Sequence, residues 1–141
     1  MGDFEKAETT GAFATPDEAR DFFANDRFAT ENGMQIDELD GEHAVTSVVL
    51  SARHRNALGG VMGGVIFTLA DFAFAALTND KVRKTVAQQV SINYLNAPKG
   101  GKLVATARYR KDGRSSCVVN IDVSDDTGRA VAQAVGTGFK L

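Results

Sequence analysis

The chain has 141 residues, 43% hydrophobic and 24% charged, with a formal net charge of −2 at pH 7. That is one domain's length, enough for a single core without staples, and its near-neutral balance argues against nucleic-acid or membrane-surface binding, both of which favour a basic excess. The one cysteine, Cys117, leaves no partner for an internal disulfide and excludes a multi-cysteine zinc site. With an acidic opening, Met1-Gly2-Asp3-Phe4-Glu5, and no apolar run near the roughly 20 residues of a membrane span, the expectation is a cytoplasmic protein.

Residues 1–14 show no period and read as an N-terminal tail, docked by Phe4 or Phe13; residues 15–141 read as a single domain. Thr15-Pro16-Asp17-Glu18 is a helix start, with Thr15 as cap, Pro16 in the first turn and Glu18 completing a capping box. The helix should carry Ala19, Phe22 and Phe23 inward and end near Asn25–Asp26. Phe28 then falls in a short turn or second helix closed by Asn32-Gly33. Asp40-Gly41 joins Met34–Leu39 to Glu42–Leu50 as a hairpin. Met62–Leu77 is rich in Ala, Leu and Phe and apolar almost all round as a helix, so it should be buried on most sides. Thr85–Leu95, Lys102–Arg110, Ser116–Ser124 and Ala130–Phe139 read as strands. In Lys102–Arg110 the apolar residues alternate with Lys, Thr and Arg, the period of a sheet with one wet face. Ala132, Ala134, Gly136 and Gly138 would let a helix come close. The expected architecture is α+β: a long antiparallel sheet curled around one buried helix, with a smaller N-terminal helix. The helix keeps a side the sheet cannot cover, which suggests a partner subunit.

Asp71 is the only ionisable residue between Arg55 and Asp80. A carboxylate on such a helix is either a structural hydrogen-bond acceptor or a reactive group, and burial raises its pKa. Gly59-Gly60-Val61-Met62-Gly63-Gly64 leads into the same helix. Glycines there leave first-turn N–H groups open to an oxygen at the positive end of the helix dipole, although a tight packing loop would use them equally well. Gly63 and Asp71 lie eight positions apart, about 12 Å along a helix. One helix cannot easily aim both at one carbonyl, so joint action requires an antiparallel helix from a second copy.

The stretch from His54-Arg55-Asn56 through Gly59-Gly60-Val61-Met62-Gly63-Gly64 to Leu69-Ala70-Asp71-Phe72 resembles the signature of hotdog-fold acyl-CoA thioesterases of the PaaI type. The resemblance continues through Val90-Ser91-Ile92-Asn93-Tyr94-Leu95 and Gly113-Arg114, and covers the chain from about residue 17. It implies a hotdog fold and hydrolysis of a small or medium acyl-CoA, aryl acyl groups included. Asp71 would activate water or attack the thioester carbonyl, the Gly63 N–H would polarise that carbonyl, and Asn56 would help hold the thioester or water. Met62, Gly64 and His54 would adjoin the ligand. Val90, Ser91, Ile92 and Asn93, with Arg114, Ser115 and Ser116, would line the pantetheine and nucleotide path, Arg114 meeting a phosphate. Coenzyme A would be part of the substrate, with no other cofactor and no metal, and the assembly a homodimer pairing into a homotetramer. The chain departs from the pattern at Met62, where the family has a His, and at Ala87, near a usual Ser or Thr that Gln88 or Ser91 could replace.

Those departures keep two other readings open: a non-catalytic protein that binds acyl-CoA or a small acid, and, ranked third, a dehydratase or hydratase, whose chemistry normally pairs a His with a carboxylate. Among the remaining residues, His43 reads as a surface residue and His54 more as loop packing than as a ligand contact. Cys117 reads as core, and Phe67, Phe72 and Phe74 as core or subunit interface. Arg108, Arg110, Lys111 and Arg114 form a modest basic group, and Lys81, Arg83 and Lys84 follow the helix C-terminus.

Overall fold

The computed structural model describes Phe13, residues 15–80 and residues 84–141. Phe4 and most of the expected tail, like Lys81 and Arg83, lie outside these residues. Helix α1 spans Pro16–Phe23, and Thr15 caps it by accepting the Glu18 N–H at 3.2 Å. Ala19 and Phe23 are buried as expected. Phe22 is not: it stays partly exposed, covered by the Phe13 ring at 5.2 Å and by the Lys84 ammonium at 5.0 Å. A four-residue helix α2, Arg27–Thr30, follows, and the turn after it closes at Gly33, whose φ is +86°.

The sheet has six antiparallel strands: β1 Gln35–Leu39, β2 His43–Val49, β3 Thr85–Tyr94, β4 Lys102–Asp112, β5 Ser116–Asp125 and β6 Ala130–Lys140, in spatial order β1-β2-β4-β5-β6-β3. The first hairpin turns one residue later than the Asp40-Gly41 pair. The Asp40 N–H donates to the His43 carbonyl at 3.2 Å, so Gly41 and Glu42 are the central residues, and Gly41 takes the positive φ. The Asp40 carboxylate braces the turn by accepting the N–H groups of Glu42 and His43. Alternation then sorts the strands: Leu103, Ala105 and Ala107 of β4 and Cys117, Val119, Ile121 and Val123 of β5 are buried on one face.

Helix α3, Gly63–Asn79, lies across that face and contacts every strand of the sheet. Leu69, Ala70, Ala73, Phe74, Ala76 and Leu77 are buried along it. The small residues of β6 make room: a Cβ on Gly136 would come within 2.8 Å of the Phe74 ring, and one on Gly138 within 3.0 Å. Three hydroxyls from the sheet also donate to helix carbonyls: Thr46 of β2 to Leu69 at 3.1 Å, Tyr109 of β4 to Leu77 at 3.3 Å, and Tyr94 of β3 to Gly63 at 3.2 Å. Apolar packing fixes which face of α3 is down, and these bonds fix its position along the sheet. The architecture is the α+β sheet curled on a central helix that the sequence implies. No helix among the described residues is long and apolar enough to cross a membrane.

Candidate active site

The start of α3 is open. Met62 occupies the cap position with extended backbone, makes no side-chain capping bond and is 55% exposed. Its N–H donates to the His54 carbonyl, and its carbonyl accepts from Val65. Among the described residues no acceptor takes the N–H of Gly63 or Gly64. Unsatisfied donors at a helix N-terminus attract negative charge. These border a cavity of about 540 Å³ whose lining includes Asn56, Gly60, Gly63, Ile66, Tyr94 and Pro98.

Asn56 is held by its own loop. Its carboxamide oxygen accepts from the N–H groups of Leu58 at 3.0 Å and Gly60 at 3.1 Å, and its main-chain N–H donates to the Gly60 carbonyl at 2.8 Å. Those two donors assign Oδ1, and no acceptor among the described residues takes Nδ2. His54 does not reach this cavity. It is 2% exposed, its Nδ1 accepts the Ser51 N–H at 3.0 Å, and its Nε2 donates to the Asn32 carbonyl at 2.8 Å. Nδ1 closes the turn His54 itself belongs to, and Nε2 ties that turn to the one after α2, so His54 packs the loop. His43 lies beside the Asp40 and Glu38 carboxylates at the first hairpin, 2.7 and 3.3 Å from them, and Cys117 is buried in the core.

Asp71 opens elsewhere. It lines a second cavity, of about 280 Å³, with Asp26, Arg27, Phe28, Ala29, Thr68 and Phe72. It is half-buried rather than sunk, because it lies on the one side of α3 that the sheet leaves uncovered, with Gly64, Thr68 and Ala75. Burial pushes its carboxyl above the ordinary range, and the Asp26 carboxylate pushes it further. Asp26 is itself raised by burial. Arg27 on the same wall is paired with Glu31 at 2.5 Å. Phe28 is 74% exposed on this cavity's wall. The cluster of Asp26, Arg27 and Phe28 escapes sequence reading because four helical residues are too few to show a period, and nothing in the chain announces that α2 packs beside α3.

Strand β3 divides its candidates between two faces. Val90 pairs with Gly136 and Ile92 with Ala134, which places both on the helix face; Ser91 and Asn93 point to the other face, where Asn93 donates to Gln133. Tyr94 continues the helix-facing series and borders the Gly63 cavity, although the sequence reading of site residues stops at Asn93. Extending the same alternation by two positions would have found it. Ala87 pairs with Gly138 near the other end of β3, and a bulge follows it. Arg114 and Ser115 lie in the β4–β5 turn and Ser116 opens β5, all beside the Thr85 end of β3, since the Lys140 N–H donates to the Ser115 carbonyl and Thr85 pairs with Lys140. Tyr94 lies roughly 30 Å away at the opposite end of that strand. One chain therefore does not bring Arg114 to the glycine turn. Among the described residues, no three His, Cys, Asp or Glu side chains gather in a way that could hold a metal ion.

A central helix wrapped by an antiparallel sheet is a hotdog arrangement, and its start, where two amides lack acceptors among the described residues, and the raised carboxyl on its open side are groups that could act on a thioester. A family model described as a domain of unknown function (DUF4442) matches residues 28–137. The Escherichia coli acyl-coenzyme A thioesterase PaaI is 30% identical over 124 residues, 87% of this chain and 89% of that protein. Its solved structure superposes with a TM-score of 0.82, covering 87% of this chain and 90% of that one. A hypothetical thioesterase from Streptococcus pneumoniae, solved with coenzyme A, has a TM-score of 0.77 at 28% identity, covering 84% of this chain and 96% of that one. The chain belongs to the PaaI-like thioesterase family.

Proposed function

We propose that this protein hydrolyses a small or medium acyl-CoA, aryl acyl groups included, to the free acid and coenzyme A. The observation that carries the reading is α3 itself: two amides at its start without acceptors among the described residues, and one carboxyl, raised by its surroundings, eight positions along its open side. In this reading the ionised Asp71 takes a proton from water as the oxygen attacks the thioester carbon, or attacks that carbon itself to give an anhydride that water opens. The carbonyl electrons move onto oxygen, where the Gly63 N–H holds the charge. Collapse breaks the carbon–sulfur bond, and the departing thiolate takes up a proton. Asn56 contributes an amide beside Gly63. Arg114, Ser115 and Ser116 would reach coenzyme A from a second copy.

The two cavities also motivate the dimer, because Gly63 and Asp71 face different ones within a chain. Pairing of dimers into a tetramer, a cytoplasmic location and independence from metal belong to the same proposal. The S. pneumoniae relative with coenzyme A supports the ligand class. The test is thiol release from a panel of aliphatic and aryl acyl-CoAs by wild type beside Asp71→Ala. Turnover by wild type and its loss in a folded Asp71→Ala variant are expected. Tight acyl-CoA binding with no thiol release would instead favour the non-catalytic reading, which Met62 at the usual His position motivates.

A further inference from the structure

The Gly63 amide is useful only if it is held still, and the sequence around it does little to hold it. Met62 cannot cap through its side chain, and Gly63-Gly64 are the least restrained residues a helix can begin with. The Met62–Gly63 peptide is fixed from one side, since the Met62 carbonyl accepts from Val65 and the Met62 N–H donates to His54. Tyr94 adds a second restraint, on the carbonyl side of Gly63. Its hydroxyl donates to the Gly63 carbonyl at 3.2 Å, and its ring lies flush against the glycine, 3.4 Å from where a Cβ would stand. Tyr94 comes from the last position of β3, so the clamp ties the helix start to the sheet edge.

The geometry points to Tyr94 as a positioning residue for the oxyanion donor: it fixes the first turn of α3 so that the Gly63 N–H keeps its aim. The inference rests on the reading of Gly63 given above. Tyr94→Phe keeps the ring and removes only the hydroxyl, and the partly exposed position makes misfolding a minor concern. With the acyl-CoA that wild type hydrolyses best, kcat should fall about tenfold, the worth of one hydrogen bond realised at the transition state, with KM unchanged. Hydrogen exchange of the Val65 to Phe67 amides should quicken severalfold, with the melting temperature nearly unchanged. Wild-type kcat in Tyr94→Phe would overturn the proposal. So would a rise in KM alone, which would make Tyr94 a substrate contact, or unaltered exchange in the first turn. If wild type hydrolyses no acyl-CoA, the activity reading fails separately, and the exchange measurement still decides whether the hydroxyl clamps the helix.

Discussion

Asp71 carries a charge where the fold would rather have none. Burial and the Asp26 carboxylate both raise its pKa, so the folded protein holds this proton to higher pH than the unfolded chain does. Raising the pH through that window releases more protons from the folded state, and stability falls. Above it, the ionised group is a standing cost. Asp71→Asn should therefore melt at a higher temperature than wild type near neutral pH. The difference should shrink as the pH drops toward the ordinary carboxylate range, which scanning calorimetry at several pH values would follow. The same shift sets the acid limb of the rate profile above the ordinary carboxylate range, since only the ionised form can act as base or nucleophile. Replacing Asp26 with Asn removes one of the two causes and should move that limb to lower pH. A stabilised, inactive Asp71→Asn variant would mark the residue as one kept for chemistry; a destabilised one would mark it as a structural acceptor.

At the scale of elements, close approach and a tethered loop shape the site. Gly136→Ala would push a methyl to 2.8 Å from the Phe74 ring, which is packed in the core and cannot retreat. Overpacking of this kind typically costs about 1–3 kcal/mol, readable as a lower urea midpoint at constant slope. The loop after β3, which supplies Asn96, Ala97 and Pro98 to the Gly63 cavity, is held by Asp125. That carboxylate accepts from the Thr127 hydroxyl at 2.6 Å and from the N–H groups of Thr127, Arg129, Lys99 and Gly100. The Thr127 hydroxyl bond and the backbone bonds hold its pKa well below the usual range, so its stabilisation is present above the unfolded value near 4 and fades as pH falls below it. Asp125→Asn should lower the melting temperature by several degrees at neutral pH, raise KM by loosening the cavity wall, and lose its thermal deficit in acid. These elements were largely legible in the chain because period-2 strands, Asp-Gly and Asp-Asp-Thr-Gly turns and a 16-residue apolar run each carry their own signal. Asp71 and Gly63 stand out as candidates for the same reason, as one charge and one glycine turn in an apolar segment. Register was not legible. Nothing local says that Arg114 belongs to the far end of the sheet from Gly63, or that His54 spends both nitrogens on neighbouring backbone.

For the whole molecule, the two sheet edges are unequal. The short β1 edge is covered: the Arg20 guanidinium donates to the carbonyls of Ile36 at 3.0 Å and Asp37 at 3.1 Å. Among the described residues the ten-residue β3 edge is flanked only by β6, and it carries no Pro or Lys of the kind that protects an exposed edge. Pairing of β3 with its copy would continue the sheet and bring two α3 helices side by side, running in opposite directions, their uncovered Thr68 and Asp71 sides near each other's starts. A mixing experiment tests whether the site is then shared. Gly63→Pro removes the donor and sets its ring against Tyr94, 3.4 Å from where a Cβ would stand; proline suits the first helical position, the extended backbone at Met62 suits a residue before proline, and the lost N–H has no acceptor among the described residues. Asp71→Ala removes only the carboxylate. Each variant alone should be inactive. After denaturation and refolding of an equal mixture, half the dimers carry one of each, and each such dimer rebuilds one intact site from an unaltered Gly63 and the other chain's unaltered Asp71. Activity should recover to about a quarter of wild type. If native mass spectrometry confirms that mixed dimers have formed and no activity returns, Gly63 and Asp71 do not meet across the subunit boundary, and the two cavities must be assigned to different tasks.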